Sequence, residues 1–169
     1  MEMERVRKKL QKELNQKILH TAGTHQLYRR VFRYQHLITS ILEDQGIPTD
    51  FFYLSMAESA LSNAVSHVGA AGFWQFMPAT GRQYGLTINE TIDERFDPIK
   101  STYAAVRYFK ALYKELDSWT LAAAAYNMGP SGLVRAMKRQ NEFSYYSLDL
   151  NRETSQYLYR ILSNKCIVE

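Results

Sequence analysis

The sequence predicts an all-α protein, and three observations carry that prediction. Apolar residues recur at helical spacing, as in Leu27, Val31, Tyr34, Ile38, Ile41 and Leu42. No stretch of useful length alternates apolar and polar residues as a half-buried strand would. The breaks between periodic segments carry helix-cap chemistry: Asp97-Pro98, Ser118 and Gly129-Pro130. With 169 residues, 46% hydrophobic and 22% charged, the chain can bury a core without staples. It has no internal repeat or low-complexity linker. The expected layout is a helical arm over residues 1–45, packed on or leading into a domain over residues 46–169.

The elements follow in order. Val6, Leu10, Leu14 and Ile18 form a narrow apolar stripe on a charged helix, which Thr21-Ala22-Gly23-Thr24 breaks. A second helix ends near Gly46. Thr49 or Asp50 can cap the third, on which Phe51, Leu54, Glu58 and Leu61 share a face at spacings of three, four and seven. Residues 63–68 read as a loop. Gly69 and Gly72 let the backbone approach something closely. Pro78 suits the first turn of a short helix that Gly85 ends. Residues 86–97 are irregular, and Asp97-Pro98 opens a long amphipathic helix. Ser118 caps the next, whose run Ala122 to Ala125 suits central burial and delivers Tyr126-Asn127 at its end. A short helix over 132–139 and a loop over 141–151 precede the last helix. There Glu153, Tyr157 and Ile161 share a face.

The net charge of +4 is uneven: residues 1–33 hold nine Lys/Arg against three acids, leaving the rest at −2. Such an arm can favour an anionic polymer or membrane surface. Without aromatic interleaving or a recognisable motif it is read as a solvated face, and no nucleic-acid partner is expected. Cys166 is the single cysteine, which rules out an intrachain disulfide. His20, His25, His36 and His67 lack ligand spacing, so neither metal nor cofactor is expected. No apolar run reaches transmembrane length, and Met1–Leu10 lacks the apolar stretch of a secretion signal.

The chemistry concentrates in residues 58–81, ESALSNAVSHVGAAGFWQFMPATG. Glu58 on an apolar stripe is costly to ionise, so its proton should be held more tightly than in water, as a general acid requires. On spacing alone, a structural acid paired to an arginine or to backbone amides serves equally well. The glycines fit neither a dinucleotide nor a P-loop fingerprint, and no strand precedes them, which disfavours phosphate binding.

Three separated motifs in the right order resemble the soluble lytic transglycosylase family of lysozyme-like peptidoglycan lyases. They are Glu58-Ser59-Ala60, Gly69 through Gly81, and Ala124-Ala125-Tyr126-Asn127-Met128-Gly129-Pro130. Gly81 to Leu86 and Glu153 to Tyr157 also match the membrane-bound murein transglycosylase D pattern within that family. The resemblance spans residues 46–164. It implies a lysozyme-like all-α fold with the catalytic glutamate at the end of a helix facing a cleft. It implies Glu58 as single acid/base, cutting the β-1,4 bond between N-acetylmuramic acid and N-acetylglucosamine to leave 1,6-anhydro ends. By the same resemblance, Ser66 and Gln75 hydrogen-bond the sugar, and Met77 lines the subsite floor. Tyr126 holds Glu58 or the substrate, Asn127 supports its loop, and Glu153 holds structure or orients Tyr126. Phe73 and Trp74 either stack on a sugar or pack, with packing favoured for Phe73.

The implied partner is the peptidoglycan glycan strand, and the implied location the cell envelope or periplasm. Membrane association would come through segments outside this chain. Two alternatives remain: a goose-type-like muramidase that hands the intermediate to water, with Asp93 or Asp97 positioning it, and a non-catalytic glycan-binding or scaffold module. Retention of both Glu58 and the Tyr126-Asn127 pair speaks against the scaffold.

Overall fold

The computed structural model describes residues 2–18 and 24–169. Among them lie eight α-helices: α1 (Glu2–Ile18), α2 (Thr24–Asp44), α3 (Phe51–Ser59), α4 (Pro78–Gln83), α5 (Pro98–Leu116), α6 (Trp119–Met128), α7 (Pro130–Gln140) and α8 (Thr154–Val168). The described residues contain isolated β-bridges but no sheet, so the all-α expectation holds. The expected break over 21–24 lies outside the described residues except for Thr24, which opens α2. The chain divides inside α5 into two compact units, one of residues 22–108 with 168 and one of 1–21, 109–167 and 169.

In the unit of residues 22–108, α2 packs on α3 over a core that includes Ile38, Leu42, Phe52 and Leu54. Residues Phe51 to Met56 are all buried, so α3 is apolar on nearly every side. The single apolar face expected from spacing is therefore not what the helix has. Leu61 lies beyond the helix end and does not share its surface. The capping expectation also changes. Asp50 has a helical backbone and makes no side-chain capping bond. Instead the amides of Phe51, Phe52 and Tyr53 donate to the carbonyls of Pro48, Thr49 and Asp50 at 3.1, 2.9 and 3.0 Å. That tight turn occupies donors a cap would otherwise serve. At the start of α5, Asp97 Oδ1 accepts from the amides of Ile99 and Lys100, both at 2.9 Å.

In the other unit, Ser118 Oγ accepts from the Leu121 amide at 3.3 Å and starts α6 as expected. Ala122 to Ala125 are fully buried, and the small side chains let α6 pack closely on α7. α7 begins at Pro130, two residues ahead of the expected start, because proline at the first helical position lacks an amide that needs no partner there. Tyr157 and Ile161 are buried on α8. Glu153 is exposed and precedes the helix, so it does not share their face. The Tyr145 hydroxyl donates to the Thr154 carbonyl at 2.6 Å, and burial raises its pKa. Arg5 Nη2 donates to the Tyr146 carbonyl at 2.7 Å, attaching α1 to this unit.

Candidate active site

Glu58 is half-buried in the last turn of α3. The helix stops one residue later because Ala60 (φ 52°) and Leu61 (φ 55°) both enter the left-handed region. Neither is glycine, and each costs on the order of 1–3 kcal/mol in that conformation. Three contacts hold the strain in place. The Ala60 amide donates back to the Met56 carbonyl at 3.0 Å, Arg30 of α2 donates to the Ala60 carbonyl at 3.2 Å, and the Leu61 side chain is buried. Such outliers persist only where the surroundings over-determine them, and they cluster at functional sites.

The segment after Glu58 folds into two nested tight turns. Val65 bridges Ala71, and Ala71 bridges Phe76, so buried Ala71 is shared by both. Ala71 and Phe76 exchange amide-to-carbonyl bonds at 3.1 Å each. The Ser59 hydroxyl donates to the Phe73 carbonyl at 2.9 Å, fastening these turns to the helix that carries Glu58. A third left-handed residue, Gln75 (φ 48°), closes the second turn.

Arg95 staples the turns from below. Its Nη1 donates to the Gly69 carbonyl at 2.7 Å and the Phe76 carbonyl at 3.0 Å. Its Nη2 and Nε donate to Asp93 at 2.6 and 2.9 Å. The hydrogen bond from the Arg95 side chain holds the Asp93 carboxyl below its ordinary value. Gly72 is the close approach the glycines promised: a Cβ there would lie 1.9 Å from the Arg95 carbonyl oxygen.

In the other unit, Tyr126 is half-buried near the end of α6, its ring 4.9 Å from that of Phe109. Asn127 Oδ1 accepts from the hydroxyl of fully buried Thr154 at 2.8 Å, and its Nδ2 donates to Glu153 at 3.4 Å. The polar pair thus ties the end of α6 to the start of α8.

Comparison with known proteins decides the family. The transglycosylase SLT domain model matches residues 36–148. The chain belongs to the transglycosylase SLT family. It is 34% identical over 168 residues to membrane-bound lytic murein transglycosylase D of Escherichia coli K12, and equally so to that of E. coli O6:H1. The match covers 96% of this chain and 36% of each relative, so the chain spans about a third of their length. Among solved structures it resembles an inactive Glu→Gln mutant of lytic transglycosylase Slt from Pseudomonas aeruginosa. That likeness has a TM-score of 0.61 at 24% identity over 88% of this chain and 24% of the other, and places the fold.

Within this SLT domain several of the expected site residues also hold the local structure. Ser66 Oγ accepts from the Ala70 amide at 3.0 Å. The Gln75 amide group donates to the carbonyls of Ala64 and Gly72 at 3.0 and 2.9 Å, so both residues help hold the turns. Met77 is 42% exposed at the start of α4, open to solvent as a binding surface needs. Trp74 is wholly buried, its Nε1 donating to Thr102 Oγ1 at 3.0 Å, and Phe73 packs edge-on against Tyr34. Stacking on a sugar is thereby overturned for both, because neither ring face is accessible. Asp93 and Asp97, the acids a hydrolase would use to place water, are committed to Arg95 and to the α5 cap.

Sequence reasoning missed Ser59, Arg95 and Thr154 as positioning residues. Asp93-Glu94-Arg95 puts opposite charges two residues apart in an irregular segment, the one local hint available. Nothing in spacing foretells that this arginine reaches 26 residues back to Gly69. Among the described residues no group of three His, Cys, Asp or Glu could hold a metal, and no helix is long and apolar enough to cross a membrane.

Proposed function

We propose that this chain is the catalytic domain of a peptidoglycan lytic transglycosylase with Glu58 as its single acid/base. The observation that carries the proposal is Glu58 itself, a half-buried acid at a strained helix end braced by Arg30, Ser59 and Leu61. Family membership and the names of the relatives support it, as does the inactive Glu→Gln form of the Pseudomonas enzyme. Catalysis is assigned to residues 46–169, with residues 1–45 as an arm.

In the proposed reaction the Glu58 carboxyl gives its proton to the oxygen joining N-acetylmuramic acid to N-acetylglucosamine. The bond from that oxygen to muramyl C1 breaks, and the sugar beyond it leaves as an alcohol. The muramyl acetamido group stabilises positive charge at C1, replacing the second carboxylate of ordinary glycosidases. The Glu58 carboxylate then takes the proton of the C6 hydroxyl, whose oxygen closes on C1. Atoms balance without water, and Glu58 ends protonated. Met77, Ser66 and Gln75 are proposed to meet the sugar. Tyr126 offers its hydroxyl to the substrate, with Asn127 and Glu153 securing its neighbourhood. The substrate places the protein in the cell envelope, on its periplasmic side.

The engagement of Asp93 and Asp97 argues against hydrolysis, and the braced acid argues against a binding-only module. Mass spectrometry of ends released from purified peptidoglycan tests all three readings. Anhydromuramyl ends from wild type, lost in Glu58→Gln, are expected. Reducing ends carrying one added water would make the protein a muramidase, and glycan binding without cleavage would make it a scaffold.

A further inference from the structure

A second feature of the unit of residues 22–108 is a cavity lined by α2 and the residues that follow α3. It has a volume of about 350 Å³ and opens between the first half of α2 and the Leu61–Asn63 segment. Arg29, Arg30 and Arg33 of α2 line it together with Ser62 and Asn63. Buried Leu61 and Phe73 complete the lining with Gln26 and Tyr34. Among the described residues no carboxylate lines it, and neither Arg29 nor Arg33 forms an ion pair. Three cations converging on one cavity repel each other unless an anion joins them. A guanidinium fork presents paired donors that match a carboxylate in two-point geometry. The volume falls within the range of small-ligand sites, roughly 300–1,000 Å³.

The site is coupled to the candidate acid by the chain itself. Arg30 both lines the cavity and donates to the Ala60 carbonyl, two residues past Glu58. Ser62 is four residues from Glu58 along the chain, so their Cα atoms are at most about 15 Å apart. A short extended peptide of about four residues spans roughly 13 Å. Arg30 Nη1 lies 3.2 Å from the Ala60 carbonyl, and the Ala60 Cα is at most about 7 Å from that of Glu58, so such a peptide on a muramyl residue held at Glu58 has the length to reach the cavity.

We propose that this cavity binds a carboxylate of the acidic peptide borne by the glycan strand, so that residues 29–33 select peptide-bearing over stripped strands. The proposal rests on the lytic reading of Glu58 and adds a specificity site to it. It also gives Arg29, Arg30 and Arg33 a function that the charge of the segment alone did not specify.

The test compares kcat/KM on three strands: one with its acidic peptides, one with the peptide carboxylates amidated, and one with the peptides removed. Peptide removal frees the lactyl carboxylate near the ring, so that strand separates a ring-proximal carboxylate from a peptide one. Wild type is expected to prefer the acidic strand about 5- to 30-fold over either of the others, with the preference shrinking as sodium chloride is raised. Arg29→Gln/Arg33→Gln should bring the acidic-to-amidated ratio close to one. Both side chains are exposed, and the salt series on wild type gives the same answer without any substitution. Cleavage of all three strands at equal rates overturns the peptide site and leaves the lytic reading intact, as does a ratio that the double variant does not move. Equal rates on stripped and acidic strands overturn the peptide as the source. Failure to cleave any strand overturns the lytic reading and this site with it.

Discussion

The Ser59 hydroxyl donates to the Phe73 carbonyl across 2.9 Å, joining the residue after Glu58 to the turns that follow it. Ser59 is 9% exposed, so removing the hydroxyl leaves the Phe73 carbonyl without that donor in a buried place. Ser59→Ala should cost about 1–2 kcal/mol in urea unfolding. It should also lower kcat more than it raises KM, since the loss falls on the support of the acid. An equal loss in both would show that Ser59 serves only stability.

Gly72 cannot carry a side chain for two independent reasons. Its φ is +78°, and an added Cβ would overlap the Arg95 carbonyl at 1.9 Å, where backbone must move. Gly72→Ala should destabilise by at least about 2–3 kcal/mol, seen as a lowered thermal midpoint. Gly69→Ala meets nothing within 4 Å and bears only the strain of its φ of +88°, so it should cost about 1 kcal/mol. Equal costs at the two sites would remove the steric argument.

Asn127 and Thr154 are 27 residues apart in sequence and bonded at 2.8 Å. A double-mutant cycle of Asn127→Ala and Thr154→Val should return a coupling of about 0.5–1.5 kcal/mol. Additive effects would mean that α6 and α8 are held by packing alone.

The Arg95–Asp93 pair predicts an acid dependence of stability. Asp93 is held below its ordinary carboxyl value of 3.8, first by its hydrogen bond from Arg95. A depressed carboxyl stabilises the fold fully above that ordinary value and loses its contribution as pH falls through the lower folded value. Arg95→Met should lose about 2–4 kcal/mol at neutral pH, because Asp93 and two carbonyls lose their partner. Its stability should then fall less steeply than that of wild type as the pH is taken below 3.8. Parallel acid curves for the two proteins would assign the acid sensitivity to other carboxyls.

Helix boundaries were legible where local chemistry sets them. Asp97-Pro98 and Ser118 start their helices as read, because a cap bonds amides two or three residues away. The same logic misled at α3 and α8. Glu58 and Glu153 both match an apolar period, yet α3 is buried nearly all round and Glu153 falls outside its helix. A period says which residues share a face only while the helix continues, and left-handed Ala60 ends it.

By itself the sequence determined the helical class and the order of the elements, since those depend on chemistry within a few residues, whereas the candidate acid was named through the three motifs that resemble the family. Only the tertiary structure decided that Trp74 is buried against Thr102, that Asp93 serves Arg95, and that the three arginines of α2 meet the segment after Glu58. The physical reason is distance along the chain. Spacing records which residues share a helix face, but the partner of a buried polar group lies wherever folding brings an unsatisfied donor or acceptor.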